Sequence, residues 1–201
     1  FDMGAKAPVK DEVKVISYNI RLIQPKDGPN EWKHRAVASP AMIKDYAPDI
    51  FGLQEAEPGH LEYLAKHLPK YASVGVGRED GKSKGEHMSI YYNTKTVELL
   101  EWGTYWLSET PDVPSKGWDA ACKRTATWAL LKMKDSGKKF FYVNKVNLFN
   151  SFNSKIINSS KYNLLKSLGS KSDLSKLYLL SKTFVQSFIK MPNKKFALLE
   201  L

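Results

Sequence analysis

The sequence predicts an α/β protein, a mixed β-sheet with helices packed outside it. The early part of the chain holds two apolar, β-branched runs, Val13–Tyr18 (VKVISY) and Asp49–Leu53 (DIFGL), each followed by a helical stretch. The later runs are short and separated by turn residues, as in hairpins. Crossover helices place strands in parallel and hairpins place them antiparallel, so a chain with both builds a mixed sheet. A third observation says where a site would form. Asn19 ends the first run and Gln54-Glu55 ends the second, and neighbouring strand ends are where α/β sites are usually built.

Gln24–Asn30, with Pro25, Gly28 and Pro29, is a loop. Trp32–Tyr46 reads as a helix on the spacing of Trp32, Ala36, Val37, Met42 and Ile43, and Pro40 inside it predicts a kink or a late start. Pro58 suits the first turn of a helix running to His67. Tyr71–Gly77 is a third strand, followed by a charged, glycine-bearing loop over Arg78–Gly85. His87–Tyr92 (HMSIYY) and Val97–Gly103 are strands, and Leu107–Trp118, with Pro111, Pro114 and Gly117, is a long ordered loop. Arg124–Met133 alternates as a strand, Asp135-Ser136-Gly137 turns the chain, and Lys139–Val143 returns beside it.

The chain has 201 residues, of which 42% are apolar and 12% aromatic, enough for one domain with a core and too apolar for global disorder. No run of ~18 apolar residues occurs, so no transmembrane helix is expected. The first residue is Phe1, which predicts that the natural start lies upstream. A single cysteine, Cys122, excludes an internal disulfide and a cysteine-based zinc site, and it suits a cytoplasmic or an exported protein.

The net charge of +10 points first to nucleic acid or a membrane surface, but its distribution weakens that reading. Residues 145–201 hold ten lysines and two acids, whereas residues 1–144 hold 21 basic and 19 acidic residues and are close to neutral. All five tryptophans and all four histidines precede residue 145, and only Gly169 and Pro192 punctuate the rest of the chain. The segment 12–144 therefore reads as the folded body, and 145–201 as a divergent or out-of-frame basic tail, helical or disordered. A genuine helix is the competing reading, since Leu174, Leu177, Tyr178, Phe184, Val185, Phe188 and Ile189 recur at helical spacing.

Asn19 and Glu55, delivered to one rim by two buried strands, would make an oxygen-rich spot of the kind hard cations such as Mg²⁺ bind. Taken singly, Asn19 reads as a turn cap and Glu55 as a solvated strand end. The combination of motifs says more. S-Y-N-I-R at 17–21, P-D-I-F-G-L-Q-E at 48–55, G-T-Y-W-L-S-E-T-P at 103–111 and G-W-D-A-A-C-K-R-T-A-T-W at 117–128 stand in order, and together they resemble the bacterial endonuclease/exonuclease/phosphatase superfamily. The resemblance covers about residues 12 to 144.

That resemblance implies a four-layer α/β sandwich of two packed mixed sheets, incomplete here at the C-terminal end. It implies hydrolysis of phosphodiesters or phosphomonoesters with Mg²⁺ or Mn²⁺. Asn19 and Glu55 fall at the metal end of the site. Glu86 matches the acid that orients a catalytic histidine in some members, with a solvated loop acid as the competing reading. Arg124 matches the arginine facing the scissile phosphate, whose guanidinium suits a phosphate fork, with a strand-face salt bridge as the alternative. Strand alternation lets only one of Glu86 and His87 face the site, and Glu86 is the choice. Trp106, Trp118 and Trp128 could wall a pocket, but core packing fits them better. His34, His60 and His67 read as surface residues, and Cys122 as a buried small residue.

The family's next strand continues into T-H-L, and D-x-N and S-D-H come later. Here Asn144 is followed by Lys145-Val146-Asn147, and the tail has no histidine and one aspartate, Asp173. The departure implies impaired activity. The expected partner is a phosphate ester, with nucleotide, short nucleic acid, sugar phosphate and lipid head group all open. Two other function classes compete with an enzyme: a phosphate- or nucleic-acid-binding protein without turnover, and a gene fragment without a function of its own.

Overall fold

A computed structural model describes residues 12–117 and 120–145, and the backbone of residues 198–199. Trp118 and the expected helical tail lie outside the described residues.

The first sheet comprises β1 (Val15–Asn19), β2 (Ile50–Gln54), β3 (Tyr71–Val74) and β4 (Ile90–Asn93), in the order β1-β2-β4-β3. β1 and β2 run parallel, with Asn19 opposite Gln54, and the other pairs are antiparallel. α1 (Trp32–Arg35) and α2 (Ala38–Tyr46) make the crossover between β1 and β2, and α3 (Pro58–His67) links β2 to β3. The second sheet is a meander of β5 (Val97–Trp106), β6 (Thr125–Met133) and β7 (Lys139–Lys145), with the two-residue β8 (Leu198–Leu199) parallel to β7.

β2 is buried along its whole length because its two faces serve two cores. Phe51 and Leu53 pack with Trp32, Ile43, Leu64 and Leu68 under the helices. Ile50 joins Ile90, Ala129, Leu131 and Tyr142 between the sheets. Helices, first sheet and second sheet are thus three successive layers of the expected α/β sandwich. Trp128, Leu130 and Phe141 form a further cluster on β6 and β7, where a fourth layer would pack.

A polar seam crosses the inter-sheet core. The Asn144 amide donates to the carbonyls of Leu53 at 2.7 Å and Ser89 at 3.0 Å, and its oxygen accepts from Gln54 Nε2 at 2.7 Å. These groups are satisfied mutually, as buried polar groups must be. Gly52 lies beneath this bridge; a Cβ there would stand 2.5 Å from the Tyr142 hydroxyl and 2.8 Å from the Asn144 amide carbon.

The predicted Trp32–Tyr46 helix is broken at Ala36-Val37 into α1 and α2, and Pro40 falls in the first turn of α2, where its missing N–H costs no bond. α3 begins at Pro58 as expected. Its start corrects one expectation: His60 is fully buried, not at the surface. His60 Nδ1 accepts the Glu57 backbone N–H at 3.0 Å, closing a capping box, and its ring meets Trp32 edge-on at 4.4 Å. Burial, with Arg35 adding to it, pushes the imidazole down to about 4. β4 begins at Ile90 instead of His87, because His87 bridges Ala56 and Gly77 ahead of the regular ladder.

Candidate active site

The parallel register of β1 and β2 brings Asn19 and Glu55 to one rim. Asn19 Nδ2 donates to Glu55 Oε1 at 2.8 Å, while Asn19 Oδ1 accepts the Arg21 backbone N–H at 2.8 Å. Leu22 N–H reaches Glu55 Oε2 at 3.2 Å, and Ile23 N–H reaches Glu57 Oε2 at 2.8 Å. The chain leaving β1 therefore bends over two carboxylates and aims amide hydrogens at them. Arg21 (φ 62°) and Glu55 (φ 59°) both adopt the left-handed conformation that makes these bends. Such a backbone is uncommon for non-glycine residues and clusters at functional sites.

Glu86 lies across the rim. It pairs with Arg78 Nη1 at 2.8 Å, with side chains 14% and 15% exposed respectively. Burial pushes the Glu86 carboxyl up; Arg78 and Arg124 draw it back, and Glu55 and Glu57 push it further up. Glu86 thus lies within electrostatic reach of both expected partners, Glu55 and Arg124, and of two charges that sequence reasoning missed, Arg78 and Glu57. Arg124 is half-buried just ahead of β6, its carbonyl accepting Leu107 N–H at 2.7 Å.

His87 is buried and its Nδ1 has no partner among the described residues. Burial lowers its pKa. Trp106 and Trp128 are core residues, and the Trp106 indole also donates to the Arg78 carbonyl at 2.7 Å. His34 is exposed, while half-buried His67 stacks on Tyr63 at 4.0 Å. Cys122 is half-buried, less enclosed than expected. Beside Asn19 an open cleft of about 400 Å³ is lined by Arg21, Asp27, Asn30 and Arg35. Arg21 holds Asp27 there with two hydrogen bonds of 2.9 and 3.0 Å, which raises the guanidinium pKa and lowers that of the carboxyl.

Among the described residues no group of three or more His, Cys, Asp or Glu is placed to hold a metal ion. The Asn19–Glu55 pair offers a smaller donor set, one carboxylate and one amide oxygen. That set suits Mg²⁺ or Mn²⁺, which accept few protein oxygens and complete their shell with water and substrate.

No family model matches the chain, and no curated protein matches it. Solved structures do. An endonuclease/exonuclease/phosphatase from Bacteroides vulgatus is 42% identical over 67% of this chain and 52% of its own, with a TM-score of 0.65. A mannosyl-6-phosphatase of Bacteroides thetaiotaomicron is 42% identical over 66% of this chain and 50% of its own, at 0.64. A functionally unknown conserved protein of Enterococcus faecalis is 30% identical over 65% and 51%, at 0.61. The chain therefore belongs to the endonuclease/exonuclease/phosphatase superfamily. It spans about half the length of the structures it matches.

Proposed function

We propose that this rim is part of a divalent-metal-dependent phosphoesterase site. Asn19 and Glu55 lie on its metal side, Arg124 serves as the phosphate fork, and Glu86 is the catalytic carboxylate. The observation that carries the reading is the Asn19–Glu55 contact at 2.8 Å, held at the ends of two buried strands by a left-handed Glu55. Two hydrogen bonds, from Asn19 and Leu22, fix the carboxylate while leaving it lone pairs for a cation. A bound Mg²⁺ or Mn²⁺ ion would polarise the phosphoryl oxygens. Arg124 would bind those oxygens through two parallel N–H groups. Glu86, raised by burial, would exchange a proton nearer neutrality than a solvated glutamate does.

The near-neutral body and the mannosyl-6-phosphatase neighbour favour a monoester of a small hydroxylated compound over nucleic acid, whose binding draws on many basic contacts. A second reading, phosphate binding without turnover, draws on the sparse donor set among the described residues.

The test is a calorimetric titration of the 201-residue chain with Mn²⁺, alongside hydrolysis of a hexose 6-phosphate. Saturable Mn²⁺ binding, weakened at least about tenfold in Glu55→Gln, is expected, with turnover below ~1 s⁻¹. Mn²⁺ binding that ignores Glu55→Gln overturns the assignment, and turnover above that rate overturns the impairment.

A further inference from the structure

Arg78 is assigned no role by the family motifs, yet it is tied to Glu86 twice. Its backbone N–H donates to the Glu86 carbonyl at 3.1 Å, and its guanidinium pairs with the Glu86 carboxylate at 2.8 Å. The loop between them is built to hold that geometry. Asp80 Oδ1 accepts the N–H groups of Lys82 at 2.8 Å and Lys84 at 2.9 Å, closing the loop on itself. The second sheet clamps it from outside. Trp106 donates to the Arg78 carbonyl, and Lys123 Nζ reaches both the Glu79 carbonyl at 2.7 Å and its carboxylate at 3.2 Å. Lys123 adjoins Arg124, so one short segment carries both the clamp and the proposed phosphate fork.

We propose that Arg78 is a positioning residue: it orients the Glu86 carboxylate and keeps it ionised opposite Arg124, from a loop that Trp106 and Lys123 hold in place. The inference rests on the catalytic assignment of Glu86 above. A carboxylate left alone at this depth takes up a proton or turns towards solvent. The charged groups facing Glu86 explain why a dedicated cation is needed. Glu55 and Glu57, just beyond β2, repel its negative charge, and Arg124, ahead of β6, attracts it less than Arg78 does. Arg78 is the cation in direct contact with the carboxylate, through Nη1, while its Nε reaches Glu79 Oε1 at 3.3 Å.

The experiment tracks Glu86 by carboxyl ¹³C NMR across pH in the full chain, with Mn²⁺ affinity measured separately. In Arg78→Gln the Glu86 midpoint should rise by about one pH unit or more, as expected on losing an adjacent opposite charge. Arg78→Lys should recover most of that rise. Mn²⁺ affinity should stay within about twofold, because Arg78 does not touch Glu55. In the wild type, the guanidinium ¹⁵N signals of Arg78 should track the Glu86 midpoint, a readout that needs no variant to fold. An unmoved midpoint in a folded Arg78→Gln chain, or Arg78 signals blind to Glu86 titration, overturns the proposal. Loss of the Mn²⁺ site with an intact Arg78–Glu86 coupling would instead sink the metal assignment and leave this proposal standing.

Discussion

Gln54 and Glu55 are consecutive, and they serve opposite regions of the molecule. Gln54 turns into the seam between the sheets and bonds Asn144, 9% and 3% exposed respectively. Glu55 turns to the open rim and meets Asn19, which is exposed. The seam has its polar groups satisfied by one another and joins two sheets. The rim's Glu55 carboxylate also accepts hydrogen bonds, from Asn19 and Leu22, but it lies at an exposed edge in a left-handed backbone that only its surroundings stabilise. The contrast teaches that polarity near a strand end does not by itself mark a site. Polarity paired inward is architecture, and polarity held outward against strain is a candidate for chemistry.

The largest effect should come from the seam. Asn144→Leu keeps the volume but removes three buried hydrogen bonds, although the Ser89 carbonyl keeps the Leu53 N–H at 2.8 Å and the Gln54 amide keeps longer contacts to Ser17 Oγ and the Gly52 carbonyl. At up to about 1.5 kcal/mol for each of the three lost bonds, a loss of about 4 kcal/mol is expected in urea unfolding. A change below about 1 kcal/mol would mean that the seam is not a joint.

His60 gives the next effect, and it depends on pH. Its folded pKa of about 4 lies below the ordinary 6.5. The unfolded chain therefore binds more protons between those values. Stability contributed by neutral His60 is whole above pH ~6.5 and is lost as pH falls towards 4, by up to about 3 kcal/mol. Urea midpoints measured from pH 7 to 4 should show this fall, and His60→Gln should flatten it. Gly52→Ala should cost less, about 2 kcal/mol, because its Cβ pushes the Tyr142 hydroxyl and Asn144 aside without removing their partners. If Gly52→Ala instead proved neutral in the same urea measurement, the sheets would be packed more loosely beside the seam than at it.

Much of the first region was legible. β1 and β2 announce themselves as β-branched and apolar runs, α3 starts at its proline, and the Asn19–Glu55 rim comes from two strand ends in parallel register. The seam was not. Asn144 stood out only as the point where the family motif breaks off, and nothing in one strand's sequence says which amide on another strand it will meet. His60 was misread because a histidine at the third position of a helix normally faces water. Here it takes the glutamine or glutamate position of a capping box, a role that becomes visible once Glu57 is known as the cap. Arg78 was hidden for a third reason. In a charged loop every basic residue looks solvated, and its value depends on contacts from Trp106 and Lys123, which arrive from far along the chain.

The smallest stability effect, and the sharpest division between seam and rim, belongs to Glu55→Gln. The glutamine keeps an acceptor for either Asn19 or Leu22 and remains on the rim, where water can satisfy what is left. Urea unfolding should therefore shift by no more than about 1 kcal/mol, against about 4 kcal/mol at Asn144 only one layer deeper. The same variant removes the negative charge on which a hard cation depends, so metal affinity and stability should part company at this position. Were Glu55→Gln to cost as much stability as Asn144→Leu, the Asn19–Glu55 contact would be a second structural joint, and its strained backbone would need a packing explanation in place of a chemical one.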